Sequence, residues 1–114
     1  MIRAALETLR RVQTEALASD VVYRRGSEGI QLRAVVGRSV FRSQNSSGLW
    51  VSTSSHDFIV ASDALGFEPS PGDVVVFDGL EYEVLAPGGE SVWRWSDPHR
   101  TALRIHTKLI GEAS

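Results

Sequence analysis

The spacing of apolar residues changes once along this chain. From Ile2 to Ala18, Ile2, Ala5, Leu6, Leu9, Val12 and Ala16 recur at helical intervals, with Arg3, Glu7, Arg10, Arg11 and Glu15 on the other side. The spacing predicts an amphipathic helix over 1–19. Such a helix has only about four turns and needs something to pack on. Two dispositions fit: across its own β-structure, or docked on a neighbouring subunit.

From Asp20 the period is two. Asp20–Arg25 and Gly29–Val36 alternate as strands around a Gly26–Gly29 turn, and Gly37-Arg38-Ser39 is expected to turn the chain into a short strand at Val40–Arg42. Ser43–Gly48 has no apolar residue and reads as a loop or tip, the flexible segment extending to Ser55. Leu49-Trp50-Val51 and Asp57–Ala61 are expected as separate strands within and after it. Ser62 is positioned to cap a single helical turn, Asp63–Leu65.

The clearest stretch is Pro71–Pro87. Asp78-Gly79 tolerates positive φ and predicts a two-residue hairpin between Asp73–Phe77 and Leu80–Leu85. Phe77 then opposes Leu80, Val75 opposes Tyr82 and Asp73 opposes Val84, which puts Val75, Phe77, Leu80, Tyr82 and Val84 on one buried side. Val74, Val76, Glu81 and Glu83 take the other, free for water or a partner. Beyond the Pro87-Gly88-Gly89 break come a short aromatic strand near Val92–Trp95, a turn at Ser96–His99 and a last strand at Thr101–Leu109. There Leu103 and Ile105 point inward, while Arg104, His106 and Lys108 form an outer stripe expected to answer Glu81 and Glu83. Residues 111–114 read as a frayed tail.

These elements define an all-β fold, a small β-barrel or two-sheet sandwich of roughly seven to eight strands over 20–110, with one N-terminal α-helix. A chain of 114 residues makes one domain. It has no cysteine, so disulfides and thiolate metal sites are excluded. Nothing in it is apolar for long enough to cross a bilayer as a helix, and the charges at Arg3, Glu7, Arg10 and Arg11 interrupt what a signal peptide would keep apolar.

Charge adds a further feature. Between His56 and Glu90 lie eight acidic residues and no lysine or arginine, so with a total of −2 the flanking segments carry +6, nearly all of it arginine. Either acidic and basic strands neighbour each other within one fold, or the molecule has two unlike sides suited to head-to-tail packing of copies. Trp50 has two readings of equal weight, a core residue capping a barrel end or an interface anchor.

Catalytic motifs are missing: no phosphate-cradling glycine loop, no G-x-S-x-G elbow and no histidine pair at metal-binding spacing. Ser55-His56-Asp57 holds the three triad types, but neighbouring strand side chains diverge, so no charge relay is expected. No catalytic, cofactor or metal residue is assigned. Arginines interleaved with aromatics, at Tyr23-Arg24-Arg25, Phe41-Arg42 and Trp93-Arg94-Trp95, suit a nucleic-acid-binding barrel, while the long acidic segment opposes phosphate.

Four motifs carry a family resemblance: DFIVASDAL (Asp57–Leu65), P-x-P-G-D (Pro69–Asp73), YEVLAP (Tyr82–Pro87) and WRWSDPHRTALRIHTK (Trp93–Lys108). Together they resemble the small head-tail joining proteins of tailed phages and prophages. The resemblance implies a structural virion protein without cofactor, assembled in the host cytoplasm. Its copies would form a ring between the portal or adaptor and the tail proteins, even if the isolated chain is a monomer. DNA would pass through the lumen without sequence-specific binding. Head closure, adaptor, tail terminator and other neck roles all fit the resemblance. With the charge pattern, the expected subunit contact sets Glu81 and Glu83 against an arginine side drawn from Arg33, Arg42, Arg94 and Arg104, with Trp50 as a candidate anchor. The alternative is a cytoplasmic β-barrel module binding nucleic acid or a peptide.

Overall fold

The two-residue period is realised as seven strands in one antiparallel network. The computed structural model describes residues 18–113. In chain order the elements are β1 (Ala18–Arg25), β2 (Glu28–Gln44), β3 (Trp50–Ala61), α1 (Ser62–Leu65), β4 (Val74–Phe77), β5 (Leu80–Val84), β6 (Trp93–Trp95) and β7 (Ala102–Glu112). The helix expected over 1–19 lies outside the described residues except for its last two positions. Those two are strand: Ala18 and Ser19 oppose Val35 and Ala34.

Pairings run from β1 to β2, β2 to β3, β3 to β7, β7 to β5, β5 to β4 and β4 back to β1. The short β6 joins β7 at Leu103–Ile105, on the same edge that β5 uses further along. Alternation sends one side chain in two into the space this cycle surrounds. Val21, Tyr23, Leu32, Ala34, Phe58, Val60, Val75, Tyr82, Val84, Leu103 and Ile105 form the buried core there. Burying a residue the size of Phe58 contributes about 1.5–3 kcal/mol.

The β4–β5 hairpin has the register read from the sequence, with Phe77 opposite Leu80 and Val75 opposite Tyr82. Its turn residues Asp78 and Gly79 have φ of 54° and 76°, the doubly positive geometry that matches the twist of the strands. Elsewhere several boundaries differ from the sequence expectation. Gly37-Arg38-Ser39 makes no turn, because all three pair with β3 in mid-strand. Ser43–Ser55 is not a loop: the only turn is around Asn45–Leu49, and Trp50–Ala61 is one continuous strand. Serines and Thr53 suffice there because the backbone groups that face between β2 and β3 pair across the two strands, whatever their side chains. Ser62 opens α1 without capping it, since Ala61 is the N-cap and no side-chain hydrogen bond forms. Gly111 and Glu112, expected in the frayed tail, extend β7 opposite Glu81 and Leu80.

One part of the molecule leaves the cycle. Beyond the Arg38–His56 pair, the backbones of β2 and β3 pair only with each other, as far as Gln44 opposite Trp50. At about 3.3 Å per residue this makes a two-stranded arm of about 20 Å. It contributes to the elongated outline of 55 × 35 × 22 Å.

Candidate functional site

The arm is braced at its base by a buried carboxylate. Asp57 sits in β3 opposite Gly37 of β2 and His106 of β7, on the side facing away from the core, and is fully buried. Ser55 Oγ donates to it at 2.6 Å, Arg104 Nη1 at 2.7 Å and His106 Nδ1 at 3.0 Å, and Ser39 supplies a fourth, short hydrogen bond. A carboxylate can only accept, so Nδ1 of His106 carries the proton. Burial pushes the Asp57 carboxyl up. The hydrogen bonds from Ser39, Ser55, His106 and Arg104 outweigh that and hold it below the usual carboxylate range. Phe41 closes the cluster from the arm, its ring edge-on to His106 at 5.2 Å. A Cβ at Gly37 would come to 3.3 Å from the Arg104 guanidinium, close enough that the guanidinium would have to shift by a few tenths of an ångström.

This arrangement contains serine, histidine and aspartate yet does not form a charge relay. Ser55 and Asp57 both meet His106 at Nδ1, whereas a relay needs them at opposite ring nitrogens. His56 takes no part, its ring packing edge-on against Tyr82 at 5.4 Å. An open, polar cleft of about 530 Å³ lies over the cluster between the arm base, β6 and β7, with Ser39, Phe41, Ser91 and Arg94 in its walls. Among the described residues, no group of histidines and carboxylates is arranged to hold a metal ion.

A second carboxylate pins the connector before β4. Asp73 accepts from Tyr23 Oη at 2.5 Å, from Arg25 Nη2 at 2.9 Å and from the Ser70 amide at 3.0 Å. Burial raises its pKa, but the Arg25 and Tyr23 hydrogen bonds prevail and the net shift is downward. Burial also pushes the Tyr23 phenol up, helped by its bond to Asp73. The Arg25 guanidinium lies 4.4 Å over the Phe67 ring. The Asp of the Pro-Gly-Asp motif thus anchors the chain path before β4.

The arginine and glutamate candidates fall into three groups. Glu81 is tied to Arg24 at 2.9 Å, and Arg104 to Asp57. The Arg104–His106–Lys108 stripe therefore does not answer Glu81 and Glu83 as a unit. Its first two members serve Asp57, and only Lys108 stands opposite Glu83. Arg33 reaches Asp20 and the Ala18 carbonyl on the surface. Glu83, Arg42 and Arg94 have no ion pair among the described residues; Arg94 stands directly opposite Arg104.

Trp50 does not cap the core within this chain. It is 71% exposed near the end of the arm, with Val40 at 63% and Leu49 at 65%. Cross-strand pairing places Arg38, Val40, Arg42 and Trp50 on one face of the arm, the face opposite Ser39 and Phe41. Far around the cycle, the outward face of β4 and β5 carries Val74, Val76, Glu81 and Glu83, continued by Val22 of β1 opposite Val76.

Among the described residues, buried polar groups brace an antiparallel β-protein, and its exposed large apolar side chains include Val40, Leu49, Trp50 and Val51 on the arm. The sequence pattern of the family described as phage head-tail joining protein matches residues 1–114, and the chain belongs to that family. It is accordingly a structural phage protein. No curated protein matches the sequence.

Proposed function

We propose that this protein joins head to tail in a tailed phage or prophage, as a ring of identical copies between the portal and the tail. In this reading the strand cycle is a small barrel, DNA passes through the ring without sequence-specific binding, and assembly occurs in the host cytoplasm. Head closure, adaptor and tail terminator are all roles within it. The observation that carries the reading is the family match over the whole chain. The two unlike surfaces support the ring: a closed ring needs contact between different patches of one subunit, and a self-complementary patch would stop at a dimer. The acidic patch is centred on Glu83 beside Glu81; of the arginine candidates Arg42 shares a face with Trp50, while Arg33 lies on the other face of β2 and Arg104 is held by Asp57.

Deleting the gene from an inducible phage tests the role. Electron micrographs of the lysate should show heads and tails that remain separate, and supplying the protein in trans should restore joined particles. Joined, infectious particles without the protein would refute it.

The arm supports a second reading, a nucleic-acid-binding module, because Arg38, Arg42 and Trp50 share a face as they do on single-strand-binding surfaces. Titration with single-stranded DNA at two salt concentrations separates the two. The junction reading expects no tight, steeply salt-dependent association.

A further inference from the structure

We infer that the β2–β3 arm of one copy lies on the outward β4–β5 face of a second copy, with Trp50 and Val40 on the valine strip Val22, Val74 and Val76, and Arg42 near Glu83. This rests on the ring reading and names the surfaces that make its contact.

Three observations lead to it. First, the arm is exposed in a way a solitary chain does not favour. Its outer backbone edges pair with nothing among the described residues, and Val40, Leu49, Trp50 and Val51 are 40–71% exposed. An unprotected strand pair bearing a tryptophan is the kind of surface that proteins otherwise cover or blunt.

Second, the receiving face has matching chemistry. Val22 and Val76 are cross-strand partners with Val74 beside them, all three half-buried, so an apolar strip is already in place. Arg24 and Glu81 neutralise each other at its border. That leaves Glu83 as the carboxylate of this face without an ion pair among the described residues, while Arg38 and Arg42 are the exposed arm cations without one, Arg42 lying nearer Trp50. Lys108, opposite Glu83, is exposed at the edge of this patch and limits the match to a local one.

Third, topology separates the two surfaces. Around the cycle β1, β2, β3, β7, β5, β4, strand β2 lies across from β5 and β3 across from β4. The arm face continues the core-facing side of β2 and β3 beyond the cycle, whereas the valine strip is on the outward side of β4 and β5, so the two meet only between subunits, and a head-to-tail repeat uses both on every copy. A partner of different sequence is disfavoured, because the apolar and charged features that the arm needs are present on this chain.

Chemical cross-linking tests the contact directly, and the absence of native cysteine leaves no background. Ser52→Cys places a thiol on the arm face between Arg42 and Trp50, and Lys108→Cys places one beside Glu83. The two variants, distinguished by mass, are mixed at millimolar concentration and treated with a short bismaleimide. The expected product is a dimer containing one chain of each kind, and adding Trp50→Ala to the arm variant should lower its yield at least fivefold. No mixed dimer, or Ser52→Cys chains joined to each other, overturns the proposal. A mixed dimer whose yield ignores Trp50→Ala overturns the anchoring role. Gene deletion reports separately on the junction role: separated heads and tails with no mixed dimer would leave that role standing and remove this contact.

Discussion

Asp57 shows what a single residue does in this fold. It is surrounded by Ser39, Ser55, Arg104 and His106, with no water-exposed surface of its own. Asp57→Ala leaves Arg104 without its counter-charge and three donors unpaired, so chemical denaturation should register a loss of about 3–5 kcal/mol. Asp57 and Asp73 also make stability depend on pH. Both have folded pKa values below those of the unfolded chain, so their contribution is complete above the unfolded carboxylate value of about 4. It is lost as pH falls from there through the folded values. Melting temperature measured against pH should therefore decline on the acid side, and Asp73→Asn should flatten that decline while lowering the plateau.

Among the elements, the β4–β5 turn and the arm make opposite predictions. Gly79 has φ of 76°, where a Cβ is strained, so Gly79→Val should cost about 1–2 kcal/mol in urea denaturation. Replacing 42–52 by Asn-Gly, which joins the opposed pair Phe41 and Thr53 by a two-residue turn, removes no core residue and should leave the melting temperature nearly unchanged. The two elements also mark how far the sequence could be read. Around Asp78-Gly79, local turn chemistry and alternation agree, so register and buried face follow from the residues alone. The arm offers no such local signal. Its serines and Thr53 carry loop chemistry, and those in β2 and β3 are strand only because the two strands continue a pairing begun inside the cycle. The Asp57 brace is illegible for a related reason: Ser39, Asp57 and His106 come from three strands, and neither spacing nor composition gives their meeting. Asp73 left a trace, because alternation placed a charge on the inner face with Val75 and Phe77, where it required a partner. The surface candidates came through unevenly. Trp50 and Arg42 share an exposed face, whereas Glu81 and Arg104 are engaged within the chain.

At the scale of the whole molecule, much of the uneven linear charge pattern is cancelled within the fold, where Arg24 meets Glu81, Arg25 meets Asp73 and Arg104 meets Asp57, and the proposed subunit contact draws on Glu83 and Arg42. Glu83→Arg should weaken self-association of the purified protein in sedimentation velocity while leaving its melting curve in place, and Arg42→Glu in the same chain should restore part of it. Loss of the melting transition would instead mark Glu83 as a folding residue. The position of β7 has a consequence for synthesis. This strand meets β3, β5 and β6 and is the last of the seven, so until the ribosome has delivered the residues after Ala102 all three lack a partner edge. A chain stopped before Ala102 should therefore lack the melting transition of the full polypeptide, since three strands are left without the neighbour that joins them.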